Sequence, residues 1–133
     1  MPYPHAMRAV AGALAVALAA GAALAAPVVA RPAAQSAQVV QGEQVYARAC
    51  ASCHGANLEG PVGPPLDAAR LAAYGTAARL YQYVHGTMPM DAPGSLSDQE
   101  YYDVIAYLLQ RNELLPPDTT LDASSAPDLA IRR

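Results

Sequence analysis

Cys50-Ala51-Ser52-Cys53-His54 places two thiols two residues apart with an imidazole directly behind them. This spacing is the attachment signature of c-type haem. The thiols would join the two vinyl groups of one porphyrin as thioethers, and His54 would supply a nitrogen ligand to the iron. Three plainer readings compete. A structural zinc site needs four good ligands; the chain has no other cysteine, His5 falls in a leader-like segment, and only His85 is left. A thioredoxin-like pair requires a strand ahead of the motif, and no strand-type run precedes Cys50. A disulfide across two residues closes almost no loop and stabilises little.

A haem iron held by His54 poses the question of its second ligand. A thioether is soft, favours the reduced metal and raises its potential. The candidates are Met88 and Met90, because Met1 and Met7 belong to the leader. Both follow His54 at a distance that lets the chain pass round a porphyrin edge. Met88 is preferred because Pro89 stiffens the backbone beside it. Met90, His85 and an open site stay as alternatives. His85 reads more simply as a residue near a helix C-terminus interacting with the helix dipole.

A ligating imidazole usually donates its other N–H to a carbonyl, which fixes the ring. Gly63-Pro64-Pro65-Leu66 follows His54 closely enough to offer one. The carbonyl of Pro64 is the choice, with Leu66 covering the haem face. On composition alone the segment is an ordinary proline turn. Arg70, Arg79 and Tyr74 could hydrogen-bond a propionate, although solvated surface is the commoner fate of such side chains. Tyr81, Tyr83, Tyr101 and Tyr102 read as packing or surface residues.

The elements that must position these groups are helical. Apolar Val39, Val40, Val45, Tyr46 and Ala49 suit one stripe of a helix over about residues 39–51, interrupted by Gly42. Glycine there costs about 1 kcal/mol against alanine and implies close approach of another helix. Residues 55–65 carry three Gly and three Pro and read as loop. A short helix is expected near 67–73 and a clearer one over 76–85, with Thr76 as N-cap and Gly86 as the residue after its end. Residues 87–96 read as a second loop. Ser97-Asp98-Gln99-Glu100 is a capping box. Tyr101, Val104, Ile105 and Leu108 follow it at i, i+3, i+4 and i+7, and Asn112 marks the helix end. This stripe is expected to pack on the Gly42 face of the first helix.

The chain has 133 residues, room for one domain. Residues 1–30, with Arg8 ahead of the run from Ala9 to Leu24 and small residues after it, read as a secretory signal peptide or an uncleaved membrane anchor. Residues 31–41 read as linker, 42–115 as the folded domain and 116–133 as a disordered tail, the last because it carries little apolar surface. A domain this small rarely builds enough core alone, and a buried porphyrin would supply the missing apolar surface. Export suits thiols that become thioethers, so an exported, periplasmic location is expected. The formal net charge is −3, and the basic residues are all arginine. This balance argues against nucleic-acid binding and for redox protein partners with apolar or basic docking patches. Gly60, Pro61 and Val62, with the Ala51/Ser52 turn, would form an apolar patch for them.

The chain resembles the class I, single-haem bacterial cytochromes c. Gly42-x-x-x-Tyr46-x-x-x-Cys50-x-x-Cys53-His54 is similar to that family's N-terminal helix, Gly63-Pro64-Pro65-Leu66 to its proline loop, Met88-Pro89 to its axial Met-Pro, and Asp103-Val104-Ile105-Ala106-Tyr107-Leu108 to its C-terminal helix. Residues 88–112 are also similar to cytochrome domains associated with quinoprotein dehydrogenases. The resemblance implies an all-α fold of three to four helices around one covalent haem, with terminal helices packed crosswise and Tyr107 against the Gly42/Tyr46 face. It implies one haem c on Cys50 and Cys53, with His54 and Met88 as metal ligands. It further implies a monomeric one-electron carrier rather than an enzyme, working between periplasmic or membrane respiratory partners. Membrane association would follow only if the leader stayed uncleaved. The alternatives are a cytochrome subunit or tethered module of a dehydrogenase or terminal oxidase, and an open-site haem sensor or catalyst. No carboxylate pair or nucleophile cluster suggests an acid–base enzyme.

Overall fold

The computed structural model describes residues 36–116 and 118–132. The leader and residues 31–35 of the linker lie outside them. Five helical segments occur in the order α1 (Ala37–Ala49), α2 (Ala51–His54), α3 (Ala68–Ala72), α4 (Ala77–Thr87) and α5 (Asp98–Arg111). No strand forms among the described residues; Thr76 and Ala130 make one isolated antiparallel bridge. The fold is that of a small all-α domain. The count exceeds the expected three to four because the chain breaks at Cys50, whose φ of −127° leaves the helical region between α1 and α2.

α1 starts earlier than its sequence signal. Ser36 caps it by accepting from the Val39 amide, so Ala37 and Gln38, expected as linker ahead of a helix from about 39, are helical. Its buried residues Val39, Gly42, Val45 and Tyr46 form one stripe. α5 begins at the Ser97/Glu100 capping box, with both reciprocal bonds made, and buries Tyr101 and the run from Asp103 to Leu109. The two helices meet at Gly42. A Cβ there would overlap the Asp103 carbonyl and come within 2.8 Å of Tyr107 Cβ. Hydrogen in place of a side chain is what lets α1 reach α5. One turn further along α1, the Tyr46 and Tyr107 rings lie 5.4 Å apart at 40°. Arg48 of α1 pairs with Glu100 of α5 at the surface.

Tyr46 also ties α1 to the turn that follows. Its buried hydroxyl donates to the Gly55 carbonyl at 2.6 Å, and burial pushes its pKa up to about 12. α4 starts at the Thr76 cap as expected. It does not stop at Gly86: the helix runs through Thr87, and Met88 is its C-cap. Gly86 is tolerated inside because nothing requires the left-handed conformation that a glycine terminator would supply.

The 116–133 tail is not disordered where it is described. Leu121, Ala126 and Ile131 are buried. Gln38 of α1 clasps Leu121 by both backbone groups, receiving its amide at 2.8 Å and donating to its carbonyl at 2.7 Å. The amides of Ala77 and Ala78, which have no partner within α4, donate to the carbonyls of Leu129 and Ala126. Ile131 donates to the Gly75 carbonyl at 2.9 Å. Between these anchors the Asp122 carboxylate accepts from Ser124 and Ser125, which holds its pKa down near about 2. The folded unit therefore extends past residue 115 to Ile131.

Two measurements check this packing. Gly42→Ala is expected to lower stability by about 1–3 kcal/mol through overpacking, read from the denaturant midpoint of the haem-loaded protein. Leu121→Ala should cost about 2–5 kcal/mol in the same assay, whereas a disordered tail would give no change.

Candidate functional site

α1 delivers the chain to Cys50, and α2 carries Cys53 and His54 in its single turn. Gly55, at φ +82°, ends that turn in a conformation that side chains disfavour. The loop after it folds back on the motif. Gly60 donates to the His54 carbonyl at 2.9 Å, and Gly63 donates to the Cys53 carbonyl at 2.8 Å. This return brings the Pro64 carbonyl 2.8 Å from His54 Nδ1. A carbonyl can only accept, so Nδ1 carries a proton, which in the neutral ring leaves the lone pair on Nε2. Gly63 packs flat on the ring; a Cβ there would stand 2.9 Å from His54 Cε1. His54 is 8% exposed, so the imidazole is held on several sides.

These residues line a cleft of about 530 Å³, inside the roughly 300–1,000 Å³ of cofactor pockets. Cys50, Cys53, His54, Pro64, Leu66 and Met88 all line it, so the fold gathers the six residues singled out in the sequence around one space. Its remaining walls are mainly apolar. Leu71 comes from α3, Val84 from α4, and Val104 and Leu108 from α5. Met90 reaches the mouth and is 76% exposed, whereas Met88 is half-buried. His85 does not line the cleft. It stacks on Tyr81 at 5.5 Å and faces Asp98 at 4.0 Å. Arg70 and Tyr74 line the cleft and Arg79 does not.

Tyr83, read from sequence as packing or surface, is 45% exposed and lines the cleft beside Tyr74, with ring centres 5.2 Å apart. Tyr101 was read in the same way. Its hydroxyl donates to the Met88 carbonyl at 2.8 Å, a contact that no local pattern signals.

The donor set fits a c-type haem. Both cysteines are free thiols on the cleft wall. An imidazole offers one nitrogen from a fixed ring, a thioether lines the same cleft, and the other walls are mainly apolar. Thiol redox catalysis fits poorly. Burial pushes the Cys50 thiol up to about 11, against a smaller opposing pull from Arg48, so it stays protonated where a redox cysteine would ionise. Zinc fits poorly as well, since no three His, Cys, Asp or Glu side chains cluster among the described residues.

Known proteins bear on the same segment. Residues 37–108 match the family model described as cytochrome c oxidase, cbb3-type, subunit III. The thiosulfate dehydrogenase of Thiomonas intermedia is 34% identical over 89 residues, covering 59% of this chain and 28% of that protein. The thiosulfate dehydrogenase of Psychrobacter arcticus is 36% identical over 80 residues, covering 50% and 24%. The chain thus spans about a quarter of the length of these relatives. The crystal structure of the sulfane dehydrogenase SoxCD from Paracoccus pantotrophus superposes with a TM-score of 0.52 at 26% identity, over 70% of this chain and 52% of that one. The family match takes in α1, the thiol turn, the cleft and most of α5. The chain belongs to this family of cytochrome c domains, whose prosthetic group is a covalently bound haem c.

Proposed function

We propose that the chain is a one-electron transfer protein whose haem c is carried on Cys50 and Cys53 and held between His54 and Met88. The observation that carries this reading is that His54 and Met88 line one apolar cleft together with both thiols. Haem bound there supplies a single iron that gains and loses one electron. The residues of the chain do the rest. Pro64 keeps the His54 proton on Nδ1, which leaves Nε2 for the metal. Met88, on the cleft wall, would offer the iron a soft sulfur that favours the reduced state. Leu71, Val84, Val104 and Leu108 keep water from the cleft, which limits reorganisation when charge changes. A haem held by both His54 and Met88 would leave its iron closed to substrate, which makes the chain a carrier rather than an enzyme.

Its partners are redox proteins of a respiratory chain, met in an exported, periplasmic setting. That location rests on the leader-like residues 1–30 and on the compartment in which such thiols are converted to thioethers. Among the described residues no helix is long and apolar enough to cross a membrane. Val62, 77% exposed at the cleft mouth, and Pro61 beside it supply an apolar face for docking. A second reading makes the chain the cytochrome subunit or module of a dehydrogenase. The relatives favour it, since two are thiosulfate dehydrogenases and the superposed structure is a sulfane dehydrogenase complex. What they share with this chain is a piece the size of a cytochrome domain. Oxidisable sulfur compounds such as thiosulfate are accordingly the first donors to test, through a partner enzyme that holds the substrate.

The ligand assignment is checked on ferric protein made in a host that attaches haem c. Wild type should show the far-red charge-transfer band of a sulfur-ligated iron. Met88→Ala should lose that band, lower the reduction potential and gain carbon monoxide binding in the reduced form; Met90→Ala should keep wild-type behaviour. A band that survives in Met88→Ala rules the assignment out. Replacing Pro61 and Val62 together by aspartate should slow reduction by a partner dehydrogenase while leaving the spectrum unchanged. Equal rates would remove that face from the docking surface.

A further inference from the structure

We propose that Tyr101 is a positioning residue for Met88: its buried hydroxyl, by holding the Met88 carbonyl, sets where the thioether stands in the cleft. The inference rests on Met88 being the sulfur ligand. Met88 sits at the seam where α4 ends, and its amide is the last to be satisfied by the helix, donating to Val84 O at 2.8 Å. Pro89 comes next and has no amide to give. From there to Ser95 the backbone bonds are local, Ala92 to Pro89 O and Ser95 to Ala92 O, and residues 90–95 are exposed. The segment that presents the sulfur is thus weakly anchored on its far side. The Tyr101 hydroxyl supplies the missing anchor at 2.8 Å, so that both polar backbone groups of Met88 are held, one by α4 and one by α5.

The anchor is itself rigid. Tyr101 is fully buried in the first turn of α5, directly after the capping box. Its ring meets Tyr81 edge-on at 6.1 Å and the His85 ring at 4.9 Å. Phenylalanine would keep these packing contacts and remove only the donor. The Met88 carbonyl would then be free to turn, and the sulfur would compete less well with an external ligand for the iron. Tyr81 provides a matched control. Its hydroxyl donates to Asp98 in the same aromatic cluster and does not touch Met88.

The test is an imidazole titration of the ferric holo-protein, followed by loss of the far-red band. Tyr101→Phe is expected to raise the apparent affinity for imidazole by about tenfold, the worth of one net hydrogen bond, and to lower the reduction potential. Tyr81→Phe is expected to leave both readings at their wild-type values. A Tyr101→Phe protein with wild-type imidazole affinity and potential overturns the inference even if its thermal midpoint falls, since that pattern marks a structural role alone. An equal shift in Tyr81→Phe overturns it too, because the effect would then belong to the cluster as a whole. Met88→Ala run alongside separates the two levels. If the band persists there, the ligand assignment fails. If it vanishes there while Tyr101→Phe titrates as wild type, the positioning role alone fails.

Discussion

The close passage of α1 over α5 at Gly42 is the constraint from which the rest of the architecture follows. Nothing larger than hydrogen fits against the Asp103 carbonyl, so the two helix axes approach to backbone contact. The Tyr46–Tyr107 pair and the Arg48–Glu100 pair then fix how α1 lies along α5. Each helix hands its position to one part of the site. α1 ends at Cys50 and so carries the attachment turn, while Tyr46 reaches the carbonyl that closes that turn at Gly55. α5 lends Val104 and Leu108 to the cleft wall and Tyr101 to the backbone of Met88.

How much of this was legible in the sequence depended on whether a signal was local. The CxxCH run, the capping box of α5 and the Thr76 cap are each written within five residues, and the structure reproduces the helices they announce. The Gly42 contact could be read because a glycine within an apolar stripe costs helix stability and so needs a packing reason. The tail was misread because Leu121, Ala126, Leu129 and Ile131 follow no helical or strand period. They bury singly, and the tail's backbone carbonyls do as much as its side chains by accepting from the free amides of α4. The early start of α1 was hidden for a related reason: Gln38 looks like linker composition until its partner, 83 residues away, is known. The Tyr101–Met88 bond is of the same kind, a side chain meeting a backbone atom across two helices.

The tail also bears on the site. By satisfying the amides of Ala77 and Ala78 it fixes the start of α4, while Met88 caps the same helix at its other end. A helix of eleven residues pinned at its start and tied to α5 at its finish has little freedom to slide. The contacts of residues 118–132 thus reach the candidate ligand through α4, though none of those residues lines the cleft.

The two sides of the cleft are built to different standards. On the attachment side, His54 is held by the return of its own loop: Gly60 and Gly63 bond the backbone of the motif, Pro64 bonds the ring, and two covalent links would add to these. On the other side, the sulfur hangs from the C-cap of α4, beside a run of exposed loop. A thioether is a weaker ligand than an imidazole, so in the proposed role the free energy of the Met88 bond to iron would be small enough for one backbone hydrogen bond to matter. Differences in potential among chains that share this attachment turn would then arise mainly on the methionine side, from how firmly the protein holds the sulfur in place. An electron carrier of the proposed kind could be tuned there without disturbing the turn that would retain its cofactor.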